Sequence, residues 1–424
     1  MPNGVTYSDR NGQPDQATFR DPFVQGAEFR SAGVWVEDKF TLKRLTVSLG
    51  ARFDRMTGTS PDEPVRNLQL QETGATIAGL GEMFSWNAPA PRFGFNLKLS
   101  EKGDTVLRGA YGRAFRQVLT DDFVGVHPGL SPSTLARYDP ATGKYSTIIS
   151  VTSPNANLAV DPDLNAPYTD SFSVGLDRQL MKNVGVGVSV VHKNGHGEIG
   201  WVDIGGVYGQ QSVVTPLGNT ITVFPLVNAT GARKYLRTDA PGGFLRYNGV
   251  ILTMEKRMAN RWRASFGYTY SKSEGKETSA QDPNQDIFTG GLRSFDRPHM
   301  ILLTGAWDIP KADVFMAADL MSASGTPFAP QMQVTLPQGR LNVNIAESDG
   351  TYRQPFQNIL SLRFSKYLFR QGDRRLELGA EIRNVLQDTG YEGVLSRIVG
   401  SSTFNQASSW VDPRRGVFYT RWYF

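Results

Sequence analysis

The side chains best suited to metal binding or proton transfer near neutral pH are four histidines, His127, His192, His196 and His299. Valines alternate with small residues over 184–190 and predict a strand, so His192 and His196 would lie on one strand face. A zinc site needs three or four ligands, and the sequence offers no third ligand near this pair. We therefore expect no metal site and expect the histidines to be solvated loop residues.

An acidic segment is a second candidate, because Asp161, Asp163 and Asp170, with Asn165 among them, could bind a cation through oxygen atoms. A calcium-binding loop also needs a central glycine and a terminal glutamate, and neither is in place here. Two prolines in the segment indicate an ordinary loop that leads into the next strand.

The sequence contains no motif for catalysis or for phosphate binding. Gly205-Gly206 and Gly242-Gly243 lack the lysine and the strand–helix context of a phosphate-binding loop. A Gly-x-Ser-x-Gly elbow is absent, and no order of Ser, His and Asp indicates a triad. The chain has 0 cysteines, which excludes thiol nucleophiles and zinc fingers. We predict that the chain is not an enzyme and binds no cofactor.

The elements that must position these side chains are strands, because apolar and polar residues alternate with period two from Ala27 to the end of the chain. Leu45, Val47 and Leu49, for example, alternate with Thr46 and Ser48. Many of the predicted strands exceed about ten residues, whereas strands of soluble proteins usually have about five or six. The thirteen predicted strands are 28–39, 44–56, 91–100, 105–116, 169–180, 184–200, 246–258, 262–273, 298–309, 313–324, 358–369, 374–385 and 415–424.

The connections between these strands fall into two size classes that alternate along the chain. Short links at 40–43, 101–104, 181–183, 259–261, 310–312 and 370–373 alternate with long ones at 58–88, 117–167, 202–245, 274–296, 326–354 and 387–413. Short periplasmic turns and long extracellular loops are typical of an outer-membrane barrel, and a soluble sandwich has no reason to sort its loops in this way. We predict an all-β fold, a transmembrane antiparallel up-and-down β-barrel.

Composition agrees with this fold class. Hydrophobic residues make up only 39% of the 424 residues, and no stretch approaches the ~18 consecutive apolar residues of a spanning helix. A spanning strand needs only about 9–11 residues, and half of them can be polar. The net charge of +5 is spread along the chain without a basic patch, so we expect no nucleic-acid binding.

The predicted strand number is odd, which has a consequence for closure. In an up-and-down barrel the first and last strands pair antiparallel, so bacterial barrels have even strand numbers. Thirteen strands therefore predict part of a larger barrel whose earlier strands lie elsewhere. A strand hidden in a long loop, at 145–151 or 221–227, is the alternative that would restore an even number. The N-terminus also lacks a signal peptide, which agrees with a partial or processed chain.

The C-terminal residues form an amphipathic strand with large rings at alternate positions, Phe418, Trp422 and Phe424. A soluble protein has no physical reason to end on exposed aromatic side chains, whereas the closing strand of a barrel places them toward lipid. This end resembles the signal that the outer-membrane barrel-assembly machinery recognises. We predict that these three residues form a membrane-assembly signal.

Several segments together resemble TonB-dependent receptors of the Oar-like branch, from about Ala27 to Phe424. The similar segments are VWVEDKF (34–40) with LTVSLGARFD (45–54), PRFGF (91–95) with VLRGAYGRAF (106–115), PYTDSFSVG (167–175) and FDRPH (295–299). The resemblance implies residence in the bacterial outer membrane, contact with outer-membrane lipid and lipopolysaccharide, and energised uptake of a solute too large for porins. The plug domain and TonB box of such receptors have no counterpart here, so contact with the TonB complex would run through parts outside this chain.

The expected organisation is a remnant of an extracellular loop at 1–26 and the C-terminal part of the receptor-like barrel at 27–424, without a plug. Two other functions stay open, a structural or adhesive surface protein that uses the long loops, and a passive pore. The transported substrate and its binding residues remain unknown at this level, because loops vary most and carry specificity.

Two sets of wall residues have alternative interpretations. Inward charges could line a solute path or bond to one another and to a plug, and we favour the second because large barrels are plugged; they are Arg52, Arg92, Lys98, Asp177, Arg263, Glu377, Glu381 and Arg383. Large aromatic residues would form girdles at the membrane interfaces, and core packing is the alternative; they are Trp262, Tyr268, Tyr270, Trp307 and Trp422.

Overall fold

A computed structural model describes residues 4–20, 23–67, 69–153, 155–276, 280–371 and 374–424. Thirteen long strands form one antiparallel sheet, called the wall, in which neighbours along the chain are neighbours in space. The wall strands are β1 (Glu28–Leu42), β2 (Leu45–Ser60), β3 (Gly81–Lys98), β4 (Thr105–Phe115), β5 (Tyr168–Met181), β6 (Val184–His196), β7 (Phe244–Ala259), β8 (Trp262–Lys276), β9 (His299–Ile309), β10 (Val314–Ala323), β11 (Gln357–Gln371), β12 (Arg374–Arg383) and β13 (Arg415–Tyr423).

The predicted strand number and the up-and-down order are confirmed. Each predicted strand overlaps one wall strand, and every wall pairing is between consecutive strands. Within the described residues β1 and β13 lie at opposite ends of the sheet order and do not pair. An antiparallel ladder of thirteen strands makes its first and last strands run in the same direction, so these two edges cannot form an antiparallel pair with each other.

Tight turns and long loops alternate as predicted. At the turn between β7 and β8, Asn260 and Arg261 both have positive φ angles of 55° and 68°, the conformation of a type I′ hairpin turn. The predicted link at 370–373 includes residues 372 and 373, which lie outside the described residues. The six long connections are L1 (61–80), L2 (116–167), L3 (197–243), L4 (277–298), L5 (324–356) and L6 (384–414).

The N-terminal segment and the loops contain secondary structure of their own. The N-terminal segment forms the strands Gly4–Arg10 and Gln13–Arg20, and the strands of the loops are Glu63–Arg66, Glu72–Ile77, Ser133–Asp139, Lys144–Thr152, Leu158–Val160, Ile199–Asp203, Gln211–Val214, Thr220–Val223, Tyr235–Asp239, Gln331–Leu336, Gly339–Asn344, Tyr391–Val394 and Ala407–Trp410. Short 3-10 turns are Thr120–Asp122, Val124–Val126, Thr230–Ala232 and Pro283–Asp286. In the described part of the chain, no helix has both the length and the apolar character needed to cross a membrane.

The alternative that a hidden strand restores an even number is wrong. Lys144–Thr152 and Thr220–Val223 are strands, but each belongs to a small sheet among the loops rather than to the wall. Lys144–Thr152 lies at the edge of a four-stranded sheet that also contains Ser133–Asp139 and the N-terminal hairpin Gly4–Arg10 and Gln13–Arg20. The hairpin at residues 4–20 therefore packs onto L2, the longest loop.

Three predicted strand ends, in β2, β3 and β6, need correction. Residues 58–60 and 81–88 were expected in a loop, but β2 and β3 continue through them because their backbones stay paired up to Ser60 and Gly81. The apolar side chains of this extension pack against loop residues, which the period-two pattern cannot indicate. β6 ends at His196 rather than at 200, because Gly197 adopts a φ of +68° and the following strand, Ile199–Asp203, pairs with Tyr235–Asp239.

The register places apolar residues of neighbouring strands on one face of the wall. Val174 on β5 lies opposite Gly109 on β4 and Val190 on β6, and Val190 lies opposite Val250 on β7. The side chains between them, such as Ser173, point to the other face. We call the apolar side the outward face and the polar side the inward face.

Two hydrophobic cores lie among the loops at one end of the wall. The first joins inward residues of β2 and β3 to L2 and L3; its members are Met56, Phe84, Trp86, Ala88, Val118, Phe123, Val126, Val160, Leu164 and Ile199. The second joins L3 to L5 through Ile221, Val223, Val334, Leu336, Val343 and Ile345. The loops are thus packed structures that draw together over the inward side of the wall.

Candidate functional site

The inward face carries paired charges. Arg52 donates from Nε to Asp54 at 2.6 Å, and Arg108 on β4 lies 3.1 Å from the Asp177 carboxylate on β5. Glu381 accepts from Arg383 at 2.5 Å. These contacts agree with the interpretation that inward charges bond to one another and brace the wall.

Glu377 on β12 is the most connected of the inward charges. Its side chain is 4% exposed and accepts hydrogen bonds from the Tyr423 hydroxyl at 2.9 Å and the Tyr419 hydroxyl at 3.3 Å. The guanidinium groups of Arg363 and Arg421 lie 3.4 and 3.8 Å from its oxygens. One carboxylate thereby links β11, β12 and β13, and its burial requires such partners.

The remaining predicted inward charges, Arg92, Lys98 and Arg263, make no ion pair within the described residues. Arg92 borders a recess of about 560 Å³ whose floor consists of small residues such as Gly94, Gly112 and Ser173. Arg263 borders another of about 670 Å³ with Asp319 and Glu381. These recesses offer charged and hydrogen-bonding surface to whatever occupies the interior.

A buried carboxylate organises the loops above the wall. Asp203 in L3 accepts hydrogen bonds from the Gly205 and Gly206 amides at 3.0 and 2.8 Å, from the Tyr208 hydroxyl at 2.7 Å and from Arg233 Nε at 2.9 Å. Burial alone would raise the pKa of Asp203, but these hydrogen bonds outweigh it and the pKa lies below its ordinary value. The Gly205-Gly206 pair thus serves a carboxylate of its own chain.

Arg233 and Gln338 connect three loops. Arg233 donates from Nη2 to the Asp282 carboxylate of L4 at 3.3 Å. Gln338 of L5 donates to the same carboxylate at 3.3 Å and to the carbonyl of Phe224 in L3 at 2.9 Å. We call Asp203, Arg233, Asp282 and Gln338 the loop junction. A sequence-based search missed all four, because they follow no periodic pattern.

Some residues considered for chemistry have structural partners instead. Asp161 accepts from the Thr238 hydroxyl at 2.6 Å, and Asp170 accepts two bonds from Arg113 at 2.9 Å. The Asn165 amide donates to Asp239, and the Asp163 backbone amide donates to the Asp161 carboxylate, so Asp161, Asn165 and Asp170 each bond to a different partner. In the described parts of the chain, no group of three or more His, Asp or Glu residues could hold a metal ion.

The expectation that all histidines are solvated loop residues is wrong. His127 is 0% exposed, and its Nδ1 accepts from the Gly129 amide at 3.0 Å while Nε2 lies 2.9 Å from the Pro61 carbonyl of L1. That geometry holds L2 against L1 and requires the proton on Nε2. His192, His196 and His299 lie on wall strands, where each packs against a tyrosine or phenylalanine ring.

The predicted aromatic residues lie on the outward face. Trp262 and Trp307 are direct neighbours across β8 and β9 near the tight-turn end of the wall. Phe418 and Trp422 on β13 and Phe424 directly after it are 86, 52 and 92% exposed. This leaves a row of large rings beside the free edge of the sheet.

Comparison with known proteins identifies the family. The family described as outer membrane beta barrel domain matches residues 11–339, more than half of the chain. The chain belongs to this family. It is also 23% identical over 356 residues to the TonB-dependent transporter Oar of Myxococcus xanthus. This alignment covers 74% of this chain and 31% of the Myxococcus protein.

Solved structures agree on the fold. The outer membrane transporter YddB of Escherichia coli superposes with a TM-score of 0.55 at 13% identity, covering 96% of this chain and 55% of that one. The siderophore receptor PiuA of Acinetobacter baumannii gives 0.52 at 12% identity, with 96 and 44% covered. The chain thus spans about a third to a half of the length of these proteins. The predicted resemblance to TonB-dependent receptors and the bacterial outer-membrane location are confirmed, and these relatives are transporters and receptors rather than enzymes.

Asp203→Asn should loosen the loop junction, because Arg233 would keep its buried charge and lose a charged partner. Removing one member of a buried pair costs about 3–5 kcal/mol, so amide hydrogen exchange in L3, L4 and L5 should accelerate by two orders of magnitude or more. Asp139→Asn, at an exposed turn carboxylate, is the matched control and should change only its own turn.

The same junction predicts an acid dependence. A carboxylate with a lowered pKa stabilises the fold above its unfolded-state pKa, and that stabilisation is lost as pH falls through the folded-state value. In wild type, the three loops should therefore open together below about pH 4, whereas Asp203→Asn should remove this step. Equal exchange rates in wild type and Asp203→Asn across this range would contradict the assigned role.

Proposed function

We propose that this chain is the C-terminal part of the wall of a TonB-dependent transporter that takes up a solute too large for porins. The observation that carries the proposal is the combination of a long polar inward face with loops packed over it. Met56, Phe84 and Trp86 project inward from β2 and β3 and are covered by L2, with the Phe84 and Phe123 rings 5.6 Å apart. An extracellular opening that is covered by packed loops suits gated uptake of a solute better than its free diffusion.

We further propose that the wall is completed by an odd number of additional strands. Since β1 and β13 run in the same direction, an even addition would leave the same mismatch. A second copy in the same membrane orientation would also meet this chain in parallel, so self-association does not solve it. Nine further strands would give the 22 strands of plugged outer-membrane transporters.

In this proposal residues 27–424 are receptor-type wall, and residues 1–26 belong to an extracellular loop. The N-terminal hairpin supports the second assignment, because Gln13–Arg20 pairs with Ser133–Asp139 of L2. Energy would reach the transporter through a plug and a TonB-contacting segment outside these residues. The unpaired inward charges Arg92 and Arg263 would then face the plug.

A surface adhesive protein is the alternative with a specific observation in its favour. The edge strand Lys144–Thr152 leaves Ile148 and Val151 65 and 60% exposed, and an exposed edge can pair with a partner strand. Cell-attachment assays with Ile148→Lys/Val151→Lys distinguish the two functions. Attachment should be unaffected if the chain serves uptake, and it should fall if this edge mediates adhesion.

Ion conductance of the complete protein in planar lipid bilayers tests the transporter proposal. We expect almost no steady current from the complete protein, because a plug fills the lumen, and a large stable current when the plug is deleted. A large permanent current from the intact protein would indicate a passive pore. A lack of current after plug deletion would contradict a wide lumen and favour the adhesive alternative.

We also propose that Phe418, Trp422 and Phe424 form the signal for the barrel-assembly machinery. Deleting Phe424, or replacing Trp422 and Phe424 by Ala, should lower the amount of assembled protein in cells at least tenfold while leaving folding in detergent nearly unchanged. The control is Phe266→Ala, a lipid-facing ring of β8 far from the chain end. Western blots of outer-membrane fractions should show normal levels for the control; normal levels for both would contradict the signal.

A further inference from the structure

Outward-facing polar residues cluster on β6, β7 and β8 where the apolar run of these strands ends. The register places His192, Asn248 and Lys272 side by side on three adjacent strands. One step further toward the loops, Arg246 lies opposite Glu274. We call these five residues the rim cluster.

The rim cluster lies at the height of lipid headgroups. Below it, Val190, Val250 and Tyr270 begin the apolar part of the outward face. Along β7 this apolar part runs from Asn248 down to Lys256, about 26 Å at ~3.3 Å per residue. For a strand tilted by roughly 40° that is about 20 Å of membrane thickness, close to the ~25 Å apolar band of outer-membrane barrels.

The geometry of the rim cluster exposes its cations and shields its anion. Glu274 accepts from Lys272 Nζ at 2.5 Å and from Arg246 Nη1 at 3.4 Å, and its side chain is 19% exposed. The Arg246 and Lys272 side chains are 50 and 60% exposed. His192 Nδ1 lies 2.7 Å from Asn248 Oδ1, an arrangement that orients the imidazole and leaves Nε2 for another partner. Two cations share one carboxylate, so the cluster has a formal charge of +1 with His192 neutral.

We propose that the rim cluster binds a phosphate group of a phosphorylated glycolipid in the outer leaflet, the lipid A part of lipopolysaccharide. Arg and Lys side chains make strong charge-assisted hydrogen bonds to phosphate oxygens. The cluster opens sideways into the lipid rather than upward into water, which favours a lipid-anchored phosphate over a free anion. The acyl chains would lie along Val190, Val250 and Leu252 of the same face.

Binding of lipid A to the delipidated complete protein in detergent, measured by native mass spectrometry, tests this site. Each basic side chain near an anionic headgroup contributes about fivefold in affinity. The double variant Arg246→Gln/Lys272→Gln should therefore bind bisphosphorylated lipid A about 25-fold more weakly than wild type. Dephosphorylated lipid A should bind wild type with a similar loss.

The matched control removes the same two charges at the opposite membrane border. Arg178 and Lys366 share the outward face with Val186 and Leu378 near the tight turns, and Arg178→Gln/Lys366→Gln should bind lipid A as wild type does. Equal loss in both double variants would overturn the site, as would unchanged binding in Arg246→Gln/Lys272→Gln. Competition by inorganic phosphate at micromolar concentration would show a site for soluble anions and would overturn the lipid assignment.

Discussion

Hydrocarbon offers no hydrogen-bond partners, so each backbone N–H and C=O of a spanning strand must bond to a neighbouring strand. The ladder from β1 to β13 satisfies this constraint, because each inner strand bonds to a neighbour on both sides. The ladder fixes a period of two, which sends Val174 to one face and Ser173 to the other. The same constraint makes the unpaired edges of β1 and β13 unfavourable in lipid, which is the physical reason to propose further strands.

With the outward face committed to lipid, the polar chemistry of the chain lies inside the wall, at the rim and in the loops. Inside, charges need partners because they are partly removed from water, and Glu377 lies among Tyr419, Tyr423, Arg363 and Arg421. At the loop end, Arg233 bonds to Asp203 within L3 and to Asp282 of L4, so this cation holds two loops together in the same way. The hydrophobic cores around Phe123 and Val343 add side-chain packing between the loops.

The wall was predictable from sequence because each strand carries its own signal. Alternation over residues 184–190 or 262–270 depends on neighbouring residues only, and the turn at Asn260 has a local conformational preference. The loops were not predictable in this way. Phe84 and Trp86 continue a strand but pack against L2, and Asp203, Arg233 and Gln338 meet across more than a hundred residues of chain. The one local sequence feature of the loop junction is the Asp203-Ile204-Gly205-Gly206 segment. It predicts a turn but does not show which side chains bond to the Asp203 carboxylate.

The central claim is that apolar side chains of the wall strands point outward to lipid and polar side chains point inward. The membrane assignment, the polar lumen and the rim cluster all depend on it. The chain has 0 cysteines, so single-cysteine variants along β5 can each carry one nitroxide spin label. In the complete protein reconstituted in lipid, collision rates with oxygen, which concentrates in hydrocarbon, should peak at Phe172, Val174 and Leu176. Collision rates should be low at Ser171, Ser173 and Gly175. A flat profile along β5, or peaks at the serine positions, would contradict the account.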